Sequence, residues 1–468
     1  MKNKERIIWI TITTLLAFLV FSPLEKARAL SREAEKYLQI FHEISTLIET
    51  DYVESIEEKE IYIGAIKGML GSLGDAHTRF MQEEDFKQLQ EETRGSFGGV
   101  GLEVTQSEGT ILVISPIDDT PAQKAGLMPQ DRILEINGTS TQKMSIQDAV
   151  KLMRGPSGTN VTIKVRRKSV KDPFLVTLTR EQIKIQFLKS TFLDDENIGY
   201  IRLSQFMGRE STSVDFRRIV SEFVEKKPKG IIIDLRSNPG GLLDLAIDLC
   251  DLFLPSDVDI VSVKGRGEKL IKVYKSTMGK DKITDLPMVV LVNGGSASAS
   301  EIFAGAMQDH KRGKILGTQS FGKGSVQNIY PLSHKTGIAL TIQKYYTPSG
   351  VSIHKKGITP DLKINPLTPD DEERLHIDKI LKTKLLANFV KDHPNYDEKS
   401  ILEFQDLISK KGFKLRNSIS KLLLKRETNI GKINPIIDRE FDYQLNKAID
   451  LLNQREVIQD QQEVVEEN

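Results

Sequence analysis

The chain has 468 residues, of which 39% are hydrophobic, so it is long enough to form two or three domains with buried cores. Its 66 lysine and arginine residues almost balance its 65 aspartate and glutamate residues. This balance excludes the strong electrostatic field that is typical of proteins that bind nucleic acids or anionic lipids. The composition therefore predicts a globular, multidomain protein with no nucleic-acid partner.

The N-terminal segment, residues 1–29, has the pattern of an export signal. Basic residues (Lys2, Lys4 and Arg6) precede a mostly apolar run, and the chain then reads Ala-Arg-Ala, which is typical of a cleavage site. As a helix the apolar run would span about 22 Å, which is less than the ~30 Å hydrocarbon core of a bilayer. We predict an extracytoplasmic protein of the periplasm or cell envelope, with an uncleaved signal that anchors the chain in the membrane as the alternative.

Changes in pattern divide the rest of the chain into four regions. Residues 30–92 carry apolar side chains at helical spacing, whereas residues 93–182 contain short runs typical of β-strands. In residues 183–365, strand-like runs alternate with helical segments, which predicts crossover connections and a mainly parallel sheet. Residues 366–468 are lysine-rich amphipathic helix patterns that end in an acidic tail. We therefore predict an α/β multidomain protein with a β-rich domain and helical N- and C-terminal regions.

Three candidate nucleophiles lie in the stretch GGSASASE, which follows the apolar run PMVVLV. A strand that passes through two glycines into a helix places Ser296, Ser298 and Ser300 at the helix N-terminus. Backbone N–H groups without helical partners can stabilise a negative charge there. This stretch alone leaves two interpretations open, a catalytic serine or a simple helix cap at Ser296. The catalytic interpretation requires a base that activates the serine.

Histidine is a poor candidate for that base. His310 lies twelve residues after Ser298 on the same predicted helix, which places it about 18 Å away. A local Ser/His/Asp triad is therefore not expected. The other histidines show no spacing typical of a metal site, so we predict neither a metal nor another cofactor.

Lys323 is a better candidate, because it lies between two glycines in the stretch GTQSFGKGSVQ. The stretch is close to a phosphate-binding loop, but it has Gly324 where a serine or threonine should bind magnesium, and a strand-like run follows it. Burial of the lysine would lower its pKa, and a neutral lysine can act as a base for a serine. Taken alone, a lysine in such a loop is more often a solvated charge than a catalytic base.

Four motifs together resemble those of the C-terminal processing, or tail-specific, peptidases, which are serine proteases with a Ser/Lys dyad. The motifs are DLRSNPGG, VNGGSASASEIFAGAMQDHKR, GTQSFGKGSVQ and KKGITPDL, and the resemblance covers roughly residues 38–365. It implies a crotonase-like α/β protease core over residues 183–365. It also implies that Ser298 is the nucleophile, that Lys323 is its general base and that Gln327 orients the lysine amine.

The resemblance further implies an oxyanion hole. One donor is the backbone N–H of Ala299, and the other is the N–H of Gly240 or of Gly241, between which the motif does not decide. Ser296 and Ser300 then have structural roles in capping and packing.

The β-rich region resembles a PDZ domain. The stretch SFGGVGLEV is similar to a carboxylate-binding loop, and TPAQKAGLMPQDRILEINGTS is similar to the helix, strand and turn that follow in such domains. In a PDZ domain the peptide adds as a strand to a sheet edge. The implied peptide-binding residues are Gly99, Val100, Gly101, Leu102 and Val104 on the loop and strand, and Gln147 and Val150 on a helix.

We therefore predict an exported serine endopeptidase that recognises the C-terminal tails of its substrates and hydrolyses a peptide bond with a Ser/Lys dyad. Its partners would be proteins or peptides with free C-termini, and its helical regions would serve for homo-oligomerisation or for docking an adaptor. The alternative is a PDZ-based binding scaffold or assembly factor without proteolytic activity. The presence of all three candidate catalytic residues favours the enzyme.

Overall fold

The structure, a computed structural model, describes residues 31–466 except 108, 118, 169, 278–281, 284 and 431–434. The predicted export signal lies outside the described residues. The chain divides into two compact units, Met1–Phe80 and Met81–Asn468. In the described part of the chain, no helix combines the length and the apolar character that a membrane span requires.

Two helices make up most of the described part of the first unit, α1 (Arg32–Asp51) and α2 (Glu58–Gly71). Ser31 caps α1, because its side chain accepts a hydrogen bond from Ala34 N at 3.1 Å. The rings of Phe41 and Tyr62 join the two helices in an edge-to-face contact. Both helices lie within residues 30–92.

The β-rich region is an antiparallel sheet with two short helices. Strand β1 (Arg79–Met81) and helix α3 (Glu83–Arg94) precede it. Its sheet order is β3-β4-β5-β7-β8, with β6 paired to β5, while β2 pairs with β9 where the chain enters and leaves the region. The elements are β2 (Ser96–Gly99), β3 (Leu102–Ser107), β4 (Thr110–Pro116), α4 (Pro121–Lys124), β5 (Arg132–Ile136), β6 (Thr139–Ser140), α5 (Ile146–Met153), β7 (Asn160–Arg166), β8 (Phe174–Thr179) and β9 (Glu181–Lys184).

A second sheet, in the order β10-β11-β12-β15-β16-β19, forms the α/β core. Strands β11, β12, β15, β16 and β19 are parallel, and β10 is antiparallel to β11. Every residue of β12 and β15 is buried, as expected for a parallel sheet that is covered on both faces. The elements are β10 (Leu188–Leu193), β11 (Ile198–Leu203), α6 (Arg209–Glu225), β12 (Gly230–Asp234), α7 (Leu243–Phe253), β15 (Met288–Val292), α8 (Ala299–Asp309), β16 (Lys314–Gly317) and β19 (Leu362–Lys363).

A smaller sheet lies beside this core and carries the segment that follows Lys323. It contains an antiparallel run in the order β14-β13-β18-β17. Its strands are β13 (Asp259–Lys264), β14 (Leu270–Lys275), β17 (Ser325–Pro331) and β18 (Gly337–Tyr346), with a short 3-10 turn (Arg266–Glu268) between the first two.

The C-terminal helices have two different locations. Helices α9 (Asp371–Lys382), α10 (Leu385–Asp392), α11 (Glu398–Lys410) and α12 (Asn417–Thr428) pack around their own apolar core. Helix α13 (Tyr443–Glu466) instead covers one face of the α/β sheet through Leu445, Ala448, Ile449 and Leu452. The sequence pattern places all five helices in one region, whereas the structure makes the start of α13 part of the α/β core. The crotonase-like character of that core remains a prediction.

Candidate active site

The connection between β15 and α8 carries Ser298 at the N-cap of the helix. Ser298 is 7% exposed and has a φ of 54° and a ψ of −114°. A positive φ is unusual for a residue with a Cβ atom, and strained conformations of this kind cluster at functional sites. The sharp turn presents the serine at the end of a buried strand, where the first N–H groups of α8 lack helical partners.

The two neighbouring serines hold this turn against the loop after β12. Ser296 Oγ donates to Leu235 O at 2.7 Å, and Ser300 Oγ donates to Asn238 O at 2.9 Å. Both side chains are completely buried. Ser296 therefore bonds to a loop and does not cap α8, because the cap is Ser298 itself.

Of the two candidate oxyanion glycines, Gly240 lies beside the serine. A Cβ atom at Gly240 would be 2.7 Å from Ser298 Cβ and 2.9 Å from Ala299 N, so only glycine permits this approach. Gly241 instead lies against the carbonyl of Phe206. The Gly240 N–H donates to Asn238 Oδ1 at 2.9 Å, so in this conformation it is not directed at a substrate.

Lys323 lies in a loop that reaches the same helix end. A Cβ atom at Gly324 would come within 2.2 Å of His354 N, which explains the glycine after the lysine. The Lys323 side chain is half-buried. Strand β17 follows at Ser325, so the loop lacks the helix of a phosphate-binding loop, as the sequence predicted.

Glu301, which is not among the site residues predicted from the sequence, joins the serine turn to the lysine loop. Its carboxylate accepts hydrogen bonds from the backbone N–H groups of Ser298 at 2.8 Å and Lys323 at 2.9 Å, both at Oε2. Its other oxygen accepts from Gly322 N at 2.7 Å and from Ser320 Oγ at 2.6 Å. Burial raises the pKa of Glu301, while these four bonds act in the opposite direction. A glutamate three residues after a helix cap is the signal that could have revealed it.

Gln327 lies on β17 next to an irregularity in its pairing with β18. Its amide nitrogen donates to Ser325 Oγ at 2.8 Å and to Thr341 Oγ1 at 3.1 Å. These two hydroxyl groups fix the orientation of the amide, which leaves the carbonyl oxygen as the group that can accept a hydrogen bond from an amine.

His310 is far from Ser298, at the opposite end of α8. Its Nε2 lies 2.7 Å from Asp259 O, and Asp309 accepts a hydrogen bond from Ser349 N at 2.8 Å. The structure therefore agrees with the prediction that these two residues do not form a triad with Ser298. Among the described residues, no group of three or more His, Cys, Asp and Glu side chains could hold a metal ion.

The predicted peptide groove lies at the edge of the β-rich sheet, between β3 and α5. Leu102 and Val104 on β3 pack partly against the core of the region, whereas Val150 is half-buried and Gln147 is exposed on α5. Strand β3 is the first in its sheet, so no described strand of that sheet pairs with its outer edge.

The loop before β3 is shorter than predicted. Gly99 ends β2, where it pairs with Glu181, so only Val100 and Gly101 lie between the strands. The carbonyl of Val100 accepts from Ala122 N at 2.9 Å, and the carbonyl of Gly101 accepts from Ile117 N at 2.9 Å. These bonds hold the loop through its carbonyl groups.

Comparison with known proteins gives the class of this protein. The profile of peptidase family S41 matches residues 197–364, that of the PDZ domain matches residues 112–167, and that of the activating protease CtpB N-terminal domain matches residues 21–85. The protein is a serine peptidase with a PDZ domain.

Two relatives in sequence define the family more closely. A carboxy-terminal-processing protease of Bartonella bacilliformis is 44% identical over 72% of this chain and 76% of its own length. The carboxy-terminal processing protease CtpA of Bacillus subtilis is 33% identical over 86% of this chain and 88% of its own length. A solved photosystem II D1 C-terminal processing protease is 28% identical, with a TM-score of 0.43 over 72% of this chain and 94% of that one. The chain belongs to the family of carboxy-terminal processing serine proteases.

Proposed function

We propose that the protein is an exported endopeptidase that binds the C-terminal tails of its substrates through its PDZ domain and cleaves them with a Ser298/Lys323 dyad. The observation that supports the dyad is that Ser298 and Lys323 both bind the carboxylate of Glu301. Because one oxygen atom accepts the N–H groups of both Ser298 and Lys323, the two segments meet at one point. The alignment of this chain with carboxy-terminal processing proteases supports the choice of substrate class.

In the proposed reaction, Lys323 acts first as a base. As a neutral amine it takes the proton of Ser298 Oγ while that oxygen attacks the carbonyl carbon of the scissile bond. Gln327 accepts a hydrogen bond from the lysine amine and so orients it. Lys323 then gives the proton to the leaving amine as the C–N bond breaks. A water molecule hydrolyses the resulting acyl-enzyme, again with the lysine as base.

The negative charge of the tetrahedral intermediate is assigned to two backbone donors. The first is the N–H of Ala299, the first residue of α8. The second is the N–H of Gly240, which we prefer to Gly241 because Gly240 lies against Ser298 and Ala299. Gly240 would exchange its bond to Asn238 for one to the substrate when the substrate binds.

Tail recognition is assigned to the loop and edge strand of the PDZ domain. The N–H groups of Val100, Gly101 and Leu102 would bind the terminal carboxylate, with Gly99 as the last residue of the preceding strand. The peptide would extend β3 as an added strand, with its side chains between Val104 and the α5 residues Gln147 and Val150. The helical regions would provide homo-oligomer or adaptor contacts.

A comparison of two serines tests the proposed nucleophile. Wild type, Ser298→Ala and Ser300→Ala are assayed for cleavage of an unfolded, casein-like protein and for labelling by a serine-reactive fluorophosphonate. We expect Ser298→Ala to lose both signals and Ser300→Ala, which loses one of two bonds to the Asn238 carbonyl, to keep both at a reduced level. A wild-type protein that binds peptide tails but shows neither signal would instead be the binding scaffold.

Export is tested separately from catalysis. Cells that produce the full chain or a chain without residues 1–29 are fractionated. We expect only the full chain to reach the cell envelope. Equal distribution of the two chains would contradict an export role for this segment.

A further inference from the structure

A buried charge cluster lies at the end of β12, directly before the loop that carries Gly240. Asp234, the last residue of β12, is completely buried, and its carboxylate accepts hydrogen bonds from Arg236 Nη2 at 2.6 Å and Arg202 Nη1 at 3.2 Å. Tyr200 OH donates to the same carboxylate at 2.7 Å. A buried carboxylate needs such partners, because an unpaired charge in this position would be costly.

The Arg236 guanidinium binds a second carboxylate, which comes from the C-terminal region. Its Nη1 and Nη2 donate to the two oxygens of Asp442, each at 2.7 Å, in the paired geometry that suits a guanidinium and a carboxylate. Gln444 Oε1 accepts from Nη1 at 3.1 Å. Arg236, in the loop after β12, is therefore held between Asp234 at the end of that strand and a segment 206 residues further along the chain.

The position of Asp442 is itself fixed. Its Oδ1 accepts a hydrogen bond from Leu445 N at 2.9 Å, at the start of α13. Gln444 Nε2 donates to Ile364 O at 2.7 Å, which ties this turn to the end of β19. Leu445 and Ile449 of α13 are buried against the α/β sheet. The packing of α13 on the sheet therefore determines where the Asp442 carboxylate lies.

The loop that contains Arg236 is bonded to both sides of Ser298. Ser296 Oγ donates to Leu235 O, and Ala297 N donates to Asn238 O at 3.0 Å. Ser300 Oγ donates to the same Asn238 carbonyl. A displacement of this loop would therefore shift the residues before and after the serine, together with Gly240.

We propose that Asp442 is a positioning residue for the peptidase reaction. Through Arg236 it fixes the loop at residues 235–240, and the loop fixes Ser298 and its oxyanion donors. The C-terminal segment thus completes the catalytic geometry although it contributes no group that reacts. This inference rests on the proposed Ser298/Lys323 function, and it assigns the start of α13 a role in catalysis.

The chain offers a matched control for the loss of an ion pair. Arg439 binds Glu196, and this pair also joins the C-terminal segment to the α/β core. Glu196 lies in the turn between β10 and β11 and has no bond to the loop at residues 235–240. Glu196→Gln therefore removes a similar pair from the same interface without touching Arg236.

The test compares wild type, Asp442→Asn, Asp442→Glu and Glu196→Gln in the full chain. Readouts are kcat and KM on one peptide, the rate of Ser298 labelling by a fluorophosphonate, and the midpoint of thermal unfolding. We expect Asp442→Asn to lower kcat and the labelling rate about 10- to 100-fold with little change in KM, since small displacements of reacting groups have effects of this size. Asp442→Glu should recover part of the loss, and Glu196→Gln should stay within about twofold of wild type.

Several outcomes would overturn the inference. It is wrong if Asp442→Asn and Glu196→Gln have the same kcat, or if Asp442→Asn changes KM alone. If Asp442→Asn does not fold, Gln444→Ala, which keeps both carboxylates, replaces it and should lower kcat at least threefold. A wild-type protein without turnover or labelling would refute the proposed function itself, which is a different result from an active protein that is insensitive to Asp442.

Discussion

Ser298 and Lys323 donate their backbone N–H groups to one and the same atom, Oε2 of Glu301, at 2.8 and 2.9 Å. The carboxylate is completely buried and lies in the first turn of α8. It therefore links the proposed nucleophile and the proposed base through their main chains, independently of their side chains. This link leads to the first prediction.

Replacement of Glu301 should impair catalysis. In Glu301→Gln, one of the oxygens becomes an NH2 group that faces N–H donors, so at least one of the four bonds is lost. Each bond to the charged group contributes about 1.5–3 kcal/mol. We expect kcat to fall about 100-fold, measured with a peptide substrate. Ser320→Ala, which removes only the hydroxyl donor to Oε1, is the control, and its kcat should fall less than tenfold. Wild-type kcat in Glu301→Gln would show that the link has no catalytic role.

A substitution can separate the positive charge of Lys323 from its ability to lose a proton. Lys323→Arg keeps the positive charge, but a guanidinium is not deprotonated at ordinary pH and cannot act as a base. We expect both Lys323→Arg and Lys323→Ala to abolish turnover of an unfolded protein substrate. A double variant that combines Ser298→Ala with Lys323→Ala should lose little more activity than either single variant. The effects of residues that act as one catalytic unit are not additive. Substantial activity in Lys323→Arg would assign the lysine an electrostatic role instead.

Gln327 should have a smaller effect than the dyad, since it orients and does not react. Gln327→Ala removes the amide that Ser325 and Thr341 hold. We expect kcat to fall about tenfold with KM nearly unchanged. The matched variant Thr341→Val removes one of the bonds to the amide and should lower kcat less than Gln327→Ala does. Wild-type kcat in Gln327→Ala would contradict the orienting role.

The PDZ domain should distinguish a free chain end from a blocked one. In full-length Ser298→Ala, which does not consume the peptide, titration calorimetry compares one apolar peptide as the free acid and as the amide. Hydrogen bonds to a carboxylate contribute about 1.5–3 kcal/mol each, so amidation should weaken binding tenfold or more. Val150→Asp, which places a charge on the α5 side of the groove, should weaken the binding of both the acid and the amide. Equal affinities for acid and amide would mean that this domain does not recognise chain ends.

The C-terminal helices should lose stability in acid through one ion pair. Arg416 donates to Glu373 at 2.7 Å and lowers the pKa of that carboxyl from 4.5 to about 2. Stability from this pair is present above pH 4.5 and is lost as the pH falls through about 2, because the unfolded chain binds the proton first.

Urea unfolding at several pH values measures this effect in wild type and Arg416→Gln. We expect the variant to have a lower free energy of unfolding than wild type at pH 7 and to approach wild type near pH 2. The difference at pH 7 should be moderate, because solvent screens the half-exposed Arg416. Lys382→Gln, which breaks an exposed pair with Asp378 on one helix, is the control and should lose at most about 0.5 kcal/mol. A pH-independent difference between wild type and Arg416→Gln would contradict this role for the pair.

Features that depend on neighbouring residues could be predicted from the sequence. Strand β15, the two glycines after it and helix α8 follow from an apolar run, turn residues and helical spacing. The same reasoning excluded His310 as a partner of Ser298, because helix geometry fixes the distance between them. The family was recognised from four motifs, and the comparisons confirm it. The catalytic roles of Ser298, Lys323 and Gln327 remain predictions that the variants above would test.

Only the tertiary structure decided which distant residues meet. Nothing in the local pattern indicates that Glu301 binds the Lys323 loop, that Asp442 pairs with Arg236, or that α13 leaves its neighbouring helices to cover the α/β sheet. Hydrophobic spacing and turn residues act over a few positions of the chain, so they specify single elements. The partner of a buried carboxylate depends on which surfaces pack together, and that is determined by the free energy of the whole fold.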